Sequence, residues 1–299
     1  MSDQDFKIVS ELIRNPLESY EKIGSKVGLS GISTRSRILK MHSSGFIQGM
    51  YLIPSPLNFG RHPRFYVFKN VDSPFSKLSE ISTVSGVVFA WIDYDNDLIV
   101  TVFSRSEKER VRDVARLSKI LGTNAITDHI PISLLPPNLS SSGLSRIDWK
   151  VLEHVAFNPR ISIAEVSKLT HLSRKTVQAH LNRMISNRML YTVYISDFTK
   201  GNGGIYYGLL VFYETKEVLG QLLKLNLEPV WYMSEPLGAL LLGFAESLEV
   251  VELLKKRVGN IEGVTGFSLN IPRGGMFAEK SVRIWIRKEI NKWNSASFH

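Results

Sequence analysis

The sequence predicts an α+β chain built as a tandem duplication, in which a winged helix-turn-helix followed by a ferredoxin-like βαββαβ domain occurs twice. Three observations predict it. At 299 residues and 43% hydrophobic composition, the chain is long enough for several domains with real cores. Three short helical patterns are followed by strand, helix, strand, strand, helix and strand, and then the whole order starts again. An offset of 143 (148 − 5) lays Asp5 on Asp148 and holds without a gap over roughly forty residues.

In that register Lys7 meets Lys150, Asn15-Pro16 meets Asn158-Pro159, and Ser19 meets Ser162. Leu29-Ser30 meets Leu172-Ser173, and Thr34, Ile38 and Met41 fall on Val177, Leu181 and Met184. Apolar stripes at spacings of three and four predict helices over 3–14, 19–26 and 30–43. Asn15-Pro16 ends the first, because the residue before proline is pushed out of the helical region. Gly45 fits a C-terminal cap. The second copy predicts helices over 145–157, 162–170 and 174–187.

The third helix of each copy is the one that matters for chemistry. Ser30 and Ser173 stand where N-caps are expected. Behind them the apolar stripe faces inward, and the other faces carry Ser33, Thr34, Arg35, Arg37 and Lys40 in the first copy. The second carries Arg174, Lys175, Thr176, Gln178, His180 and Arg183. Such side chains reach phosphates and base edges, with Ser33, Thr34, Thr176 and Gln178 nearest the bases. A charged surface helix is the plain alternative for either copy alone; its occurring twice in a helix-turn-helix context favours a recognition helix entering double-stranded DNA.

The charge supports that direction. There are 37 Lys+Arg against 28 Asp+Glu, a net +9. Residues 146–200 hold nine basic and four acidic residues, whereas residues 1–60 hold seven and five, so the second module is the stronger electrostatic anchor. Absence of cysteine excludes disulfides, cysteine-zinc sites and thiol catalysis and suits a cytoplasmic location. The longest apolar runs, such as 239–245, are too short to span a membrane, and residues 1–7 lack a signal-peptide layout.

After each recognition helix, a strand pair is expected as a wing: 46–53 with 64–69, and 189–196 with 204–214. The ferredoxin-like units then take strands 64–68, 86–92, 98–103 and 124–132 with helices near 74–82 and 107–121. In the second copy the strands lie near 204–214, 229–234, 239–245 and 264–271, the helices near 216–226 and 248–259. The expected boundaries are 1–61 and 144–203 for the winged helices, 62–135 and 204–278 for the ferredoxin-like domains, and 136–143 for the linker. Pro272-Arg-Gly-Gly275 reads as a loop, and the basic extension 279–299 as one more strand and a helical end.

This order of elements resembles the Lrp/AsnC family of transcription regulators. Leu29-Ser-Gly-Ile-Ser-Thr-Arg-Ser-Arg-Ile38 looks like the family's recognition segment, and Gly45–Pro54 with Asn58-Phe-Gly60 like its wing and hinge. Residues 237–245 and Ile261-Glu-Gly-Val264 look like its effector domain. The resemblance implies DNA binding, an amino-acid-like effector between effector domains, and an intrachain pseudo-dimer, with a homodimer of duplicated chains as the further assembly. The effector motif departs from the family's, with Tyr94-Asp95 in the first half and Gly238-Ala239 in the second, so no effector residues are assigned.

No catalytic, cofactor or metal motif stands out, so the expectation is a protein that is no enzyme and holds no cofactor. Histidines 42, 62, 129, 154, 171, 180 and 299 show no ligand spacing, and Gly201–Gly204 lacks a following GK[ST] and reads as a wing tip. Phe65, Tyr66, Phe68, Phe89 and Trp91 read as sheet core rather than a base-stacking platform. Two rivals stay open. Sirohaem decarboxylases resemble the same architecture and use basic and histidine residues near the first sheet strand, where Arg61-His62-Pro-Arg64 stands here. A chromatin-like binder with little sequence preference is the other.

Overall fold

The computed structural model describes residues 2–126, 130–133, 143–187, 189–201 and 203–295. The linker expected at 136–143 lies almost wholly outside them. The first half contains α1 (Asp3–Arg14), α2 (Tyr20–Val27) and α3 (Gly31–Ser43), then β1 (Ile47–Pro54) and β2 (His62–Phe68). It continues with α4 (Pro74–Ile81), β3 (Val87–Asp93), β4 (Leu98–Ser104), α5 (Glu107–Leu121) and β5 (Ile130–Ser133). The second half repeats this with α6 (Arg146–Val155), α7 (Ile163–Thr170), α8 (Arg174–Ser186), β6 (Leu190–Ser196) and β7 (Ile205–Tyr213). There follow α9 (Lys216–Leu223), β8 (Glu228–Ser234), β9 (Leu237–Ala245), α10 (Leu248–Gly259) and β10 (Val264–Asn270). The chain then adds β11 (Pro272–Phe277) and α11 (Glu279–Ser295).

Local chemistry sets these helices. Ser19, Ser30, Ser162 and Ser173 each accept a backbone N–H three residues on, satisfying an otherwise orphaned donor. The buried stripes are Thr34, Ile38 and Met41 in α3 and Val177, Leu181 and Met184 in α8, position on position at the offset of 143.

The expected wing hairpins do not form. β1 pairs antiparallel with β6, from Ile47 opposite Ser196 to Pro54 opposite Leu190, while β2 pairs with β4 and β5. The physical reason is twofold. The helical turn Pro56–Phe59 carries the chain away from β1 before β2 begins, and a strand that occurs twice is complementary to its own copy. Met50 faces Tyr194 and Tyr51 faces Val193, and the repeat offset carries one pair onto the other. A local two-fold axis therefore runs through the centre of this ribbon.

Each ferredoxin-like unit has its strands in the expected order, β5-β2-β4-β3 and β10-β7-β9-β8. The two fuse where β5 pairs β8, and β11 adds to the far edge beside β3, giving nine strands in one sheet. The outermost strands, β10 and β11, are consecutive in the chain and joined through Ile271 alone. So short a connection requires the sheet to roll until its edges approach. Helices cover the outside, α4 and α5 over one unit and α9 and α10 over the other. The helix-free faces meet inside through Phe65, Ile99, Trp231 and Met233.

Residues 272–277 are a strand rather than the expected loop. Gly275 makes this possible, since a Cβ there would stand 2.2 Å from the Ala90 carbonyl oxygen of β3. Residues 279–295 are a helix, not a strand: Val282, Trp285, Ile286 and Glu289 are buried at helical spacing, and the apolar-basic alternation belongs to its rim.

The helix-turn-helix modules cross over. The first packs Phe6, Leu12 and Phe46 against Phe198, Tyr206 and Leu242 near the second sheet unit, with Phe46 and Tyr206 ring centroids 4.7 Å apart. Arg14 makes a forked pair with Glu228 at 2.9 and 2.5 Å. The second packs Trp149, Val151 and Leu152 with Ile53, Phe59, Val88 and Phe103 of the first half, and with Trp285 of α11.

Candidate nucleic-acid interface

In α3 and α8 the buried stripe fixes which side chains are presented. Ser30, Ser33, Arg35 and Lys40 are exposed in the first, and Ser173, Arg174, Lys175 and Gln178 in the second, with Thr176 half-buried. Among the described residues, Arg35, Lys40, Arg174 and Lys175 form no ion pair within 4 Å. These cations are thus available to an external polyanion. Ser30 and Ser33 share a hydroxyl hydrogen bond at 3.1 Å, and Ser173 and Thr176 share the matching one at 2.8 Å.

Thr34 corrects the expectation of a base contact. It is fully buried, and its hydroxyl donates to the Ser30 carbonyl at 2.9 Å, so it braces the first turn from inside. Its place in the apolar stripe was the signal, since Val177 fills the same position in the other copy.

Arg37, His180 and Arg183 are engaged from behind. Asp5 is buried, accepts the Ser2 backbone N–H at 2.8 Å to box the start of α1, and receives the Arg37 guanidinium at 2.8 Å. Asp148, fully buried, accepts the Ser145 N–H at 2.7 Å and sits 2.8 Å from His180 Nδ1. Arg183 pairs with its other oxygen. His180 is Arg37 advanced by 143, so one carboxylate per repeat both caps the first helix and clamps the recognition helix. Sequence reading found the Asp5–Asp148 correspondence and missed this role. The signal was there in a charged residue at N3 of a capping box.

A second missed feature is Ile32, 85% exposed at the start of α3. It lies off the buried stripe, where an apolar side chain can meet a thymine methyl. The equivalent position in α8 is Lys175.

Family models match both modules. An AsnC-type helix-turn-helix domain matches residues 1–42, and a winged helix-turn-helix DNA-binding model matches 144–189. The chain is internally duplicated, and each copy opens with a helix-turn-helix module similar to one of these models, the first of them AsnC-type. It carries two helix-turn-helix DNA-binding domains. No curated protein matches the chain.

Among solved structures, the siroheme decarboxylase NirDL is 16% identical, covers 99% of this chain and 100% of its own, and has a TM-score of 0.47. The leucine response regulatory protein LrpA of Mycobacterium tuberculosis is 16% identical over 47% of this chain and 98% of its own, with a TM-score of 0.34. A transcriptional regulator of Neisseria meningitidis, in complex with L-Met, is 16% identical over 48% and 96%, with a TM-score of 0.30. The expectation that the chain is no enzyme is corrected by the first of these, because a protein that matches over the full length is a decarboxylase.

The Arg61-His62-Pro-Arg64 stretch does not gather at one place. Arg61 is buried, donates to the Phe103 carbonyl at 2.8 Å, and stacks 4.2 Å over Trp285; burial pushes its guanidinium below the ordinary value. Residues 62, 64, 66 and 68 share one face of β2, and Tyr66 and Phe68 mark it as the helix-covered face. No helix among the described residues is long and apolar enough to cross a membrane.

Proposed function

We propose that the chain is a cytoplasmic, sequence-specific DNA-binding transcription regulator that sets α3 and α8 into major grooves of one duplex. The observation that carries this reading is the pair of exposed, unpaired cationic helix starts, each joined by its following strand to a ribbon with a local two-fold axis. A two-fold relation between recognition helices suits two half-sites on one face of a duplex. Arg35, Lys40, Arg174 and Lys175 supply phosphate or guanine contacts, and Ser33, Thr176 and Gln178 reach base edges. Arg37, His180 and Arg183 fix the angle of their helices through Asp5 and Asp148. The two helices present different residues, so the preferred site is asymmetric. A small-molecule effector modulates binding.

The experiment is selection of duplexes from sheared genomic DNA over a salt series, repeated with Arg174→Ala/Lys175→Ala. Enriched, salt-sensitive sites lost in the double variant are expected. Unchanged affinity in that variant would sink the assignment. Retention without enrichment would replace it with a non-specific binder. No retention at low salt, together with turnover of added siroheme, would replace it with a decarboxylase of the same build.

A further inference from the structure

The rolled sheet encloses a cavity of about 290 Å³, close to the lower end of ligand-site volumes. Its walls are mostly apolar, with Phe65 and Trp91 from the first unit and Leu210, Trp231 and Leu240 from the second, while Thr192, Ser196, Ser268 and Asn270 add neutral polar groups. The indoles of Trp91 and Trp231 meet edge to face, with centroids 5.4 Å apart. Among the described residues, neither histidine nor arginine is in the lining. The charged groups among the described lining residues are Lys69 and Asp97, which pair with each other at 3.3 Å, and the Lys69 side chain is 54% exposed, so the pair stands at the rim. A charged ligand in such a space would lose its hydration without gaining a counter-charge. An apolar one would lose nothing of the kind, as an apolar cavity of only about 150 Å³ already accepts benzene.

A second observation concerns β6, which lines one side of the same cavity from Tyr191 to Ser196. Tyr194 sits there with its hydroxyl buried and, among the described residues, without a hydrogen-bond partner. The β6 strand is bonded along its length to β1, and the two strands directly follow α8 and α3. Whatever fills the cavity therefore presses on the ribbon from which both recognition helices extend.

We infer that this cavity binds a small, uncharged aromatic molecule and that its occupancy changes the set of α3 and α8 through the β1–β6 ribbon. The binding half stands on the cavity alone; the coupling half rests on the DNA-binding reading.

The test titrates the intact protein with N-phenyl-1-naphthylamine, an uncharged aromatic fluorophore that accepts tryptophan emission. Saturable one-site energy transfer is expected, displaced by indole and not by L-tryptophan, whose zwitterion meets no unpaired counter-charge among the described lining residues. Leu240→Trp and Leu210→Trp each fill the space and should weaken the probe at least tenfold while the circular dichroism stays native. Leu253→Trp, on the exposed side of α10, should leave it unchanged. No saturable transfer, or transfer untouched by both filling variants, overturns the site. Displacement by L-tryptophan as readily as by indole overturns the uncharged specification. For the coupling, affinity for a selected duplex should shift at least threefold on probe saturation, and the shift should vanish in Leu240→Trp. An unchanged affinity at saturation overturns the coupling. Absence of duplex binding in either state overturns the regulator reading and the coupling with it, while the cavity result stands on the titration.

Discussion

The two helix-turn-helix modules hold their recognition helices in the same way and present different surfaces. In both, a buried aspartate at N3 of the first helix caps that helix and grips a side chain on the third, Asp5 with Arg37 and Asp148 with His180. In both, the inward stripe falls on the same three positions. Outside, Gly31, Ile32, Ser33 and Arg35 stand where the second module has Arg174, Lys175, Thr176 and Gln178. The difference teaches that duplication within one chain frees the exposed positions while the clamp and core stay tied. A homodimer must change both half-sites together; here each helix changes alone.

Separating the halves breaks the comparison most severely. Each module packs on the opposite half, so residues 1–135 and 144–299 expressed apart should each fail to give a cooperative, monomeric transition by calorimetry. Co-expression should restore one complex. Two independently folded halves would refute the crossed packing.

Next is the clamp. Asp148→Ala removes a cap and the carboxylate shared by His180 and Arg183 from a fully buried site and should cost about 2 kcal/mol by urea denaturation. The half-exposed Arg183 keeps a route to water, which limits the loss. Asp5→Ala should cost roughly half as much, having one cation and a less buried carboxylate. Equal losses would mean that the second partner, Arg183, adds nothing.

On DNA, Arg174→Ala/Lys175→Ala should lower the slope of log affinity against log salt by about 2, close to one per lost phosphate contact. Arg35→Ala should lower it by about 1. Ile32→Ala should leave the slope alone and relax base preference at one position, read by repeating the selection. A change in slope there would remove the thymine-contact reading.

The smallest effect lies in the turn before each recognition helix. Gly28 ends α2 at φ +73°, and the equivalent His171 ends α7 at φ +55°. His171→Gly should stabilise by about 0.5–1 kcal/mol, and Gly28→Ala should destabilise by about 1 kcal/mol. A loss in the first variant would show that the His171 ring itself contributes contacts.

Much of this was legible in the residues. Helical spacing placed the stripes of α3 and α8, and the offset of 143 revealed the duplication. Both features are local, written within about a dozen neighbouring positions. The wings were misread because the partner of β1 lies in the other repeat, and nothing near Ile47–Pro54 encodes that choice. β11 was misread because its glycines, which read as a turn, are what lets the strand approach Ala90 so closely. Thr34 was given two roles, and burial decided between them. Asp5 and Asp148 were matched without a function, because the side chains they grip, Arg37 and His180, lie 32 residues away on another helix.

The single-residue joint at Ile271 also orders events in time. Synthesis runs from the N-terminus, so the strand that seals the sheet leaves the ribosome after the other eight strands of that sheet. Until β11 docks beside β3, the edge of β3 is unpaired and the chamber inside the rolled sheet stands open to solvent. Assembly of the finished protein therefore ends with a long-range pairing that bridges positions 93 and 272, the slowest class of contact to form. Anything destined for the chamber has its widest doorway on the nascent chain, before the final staple closes.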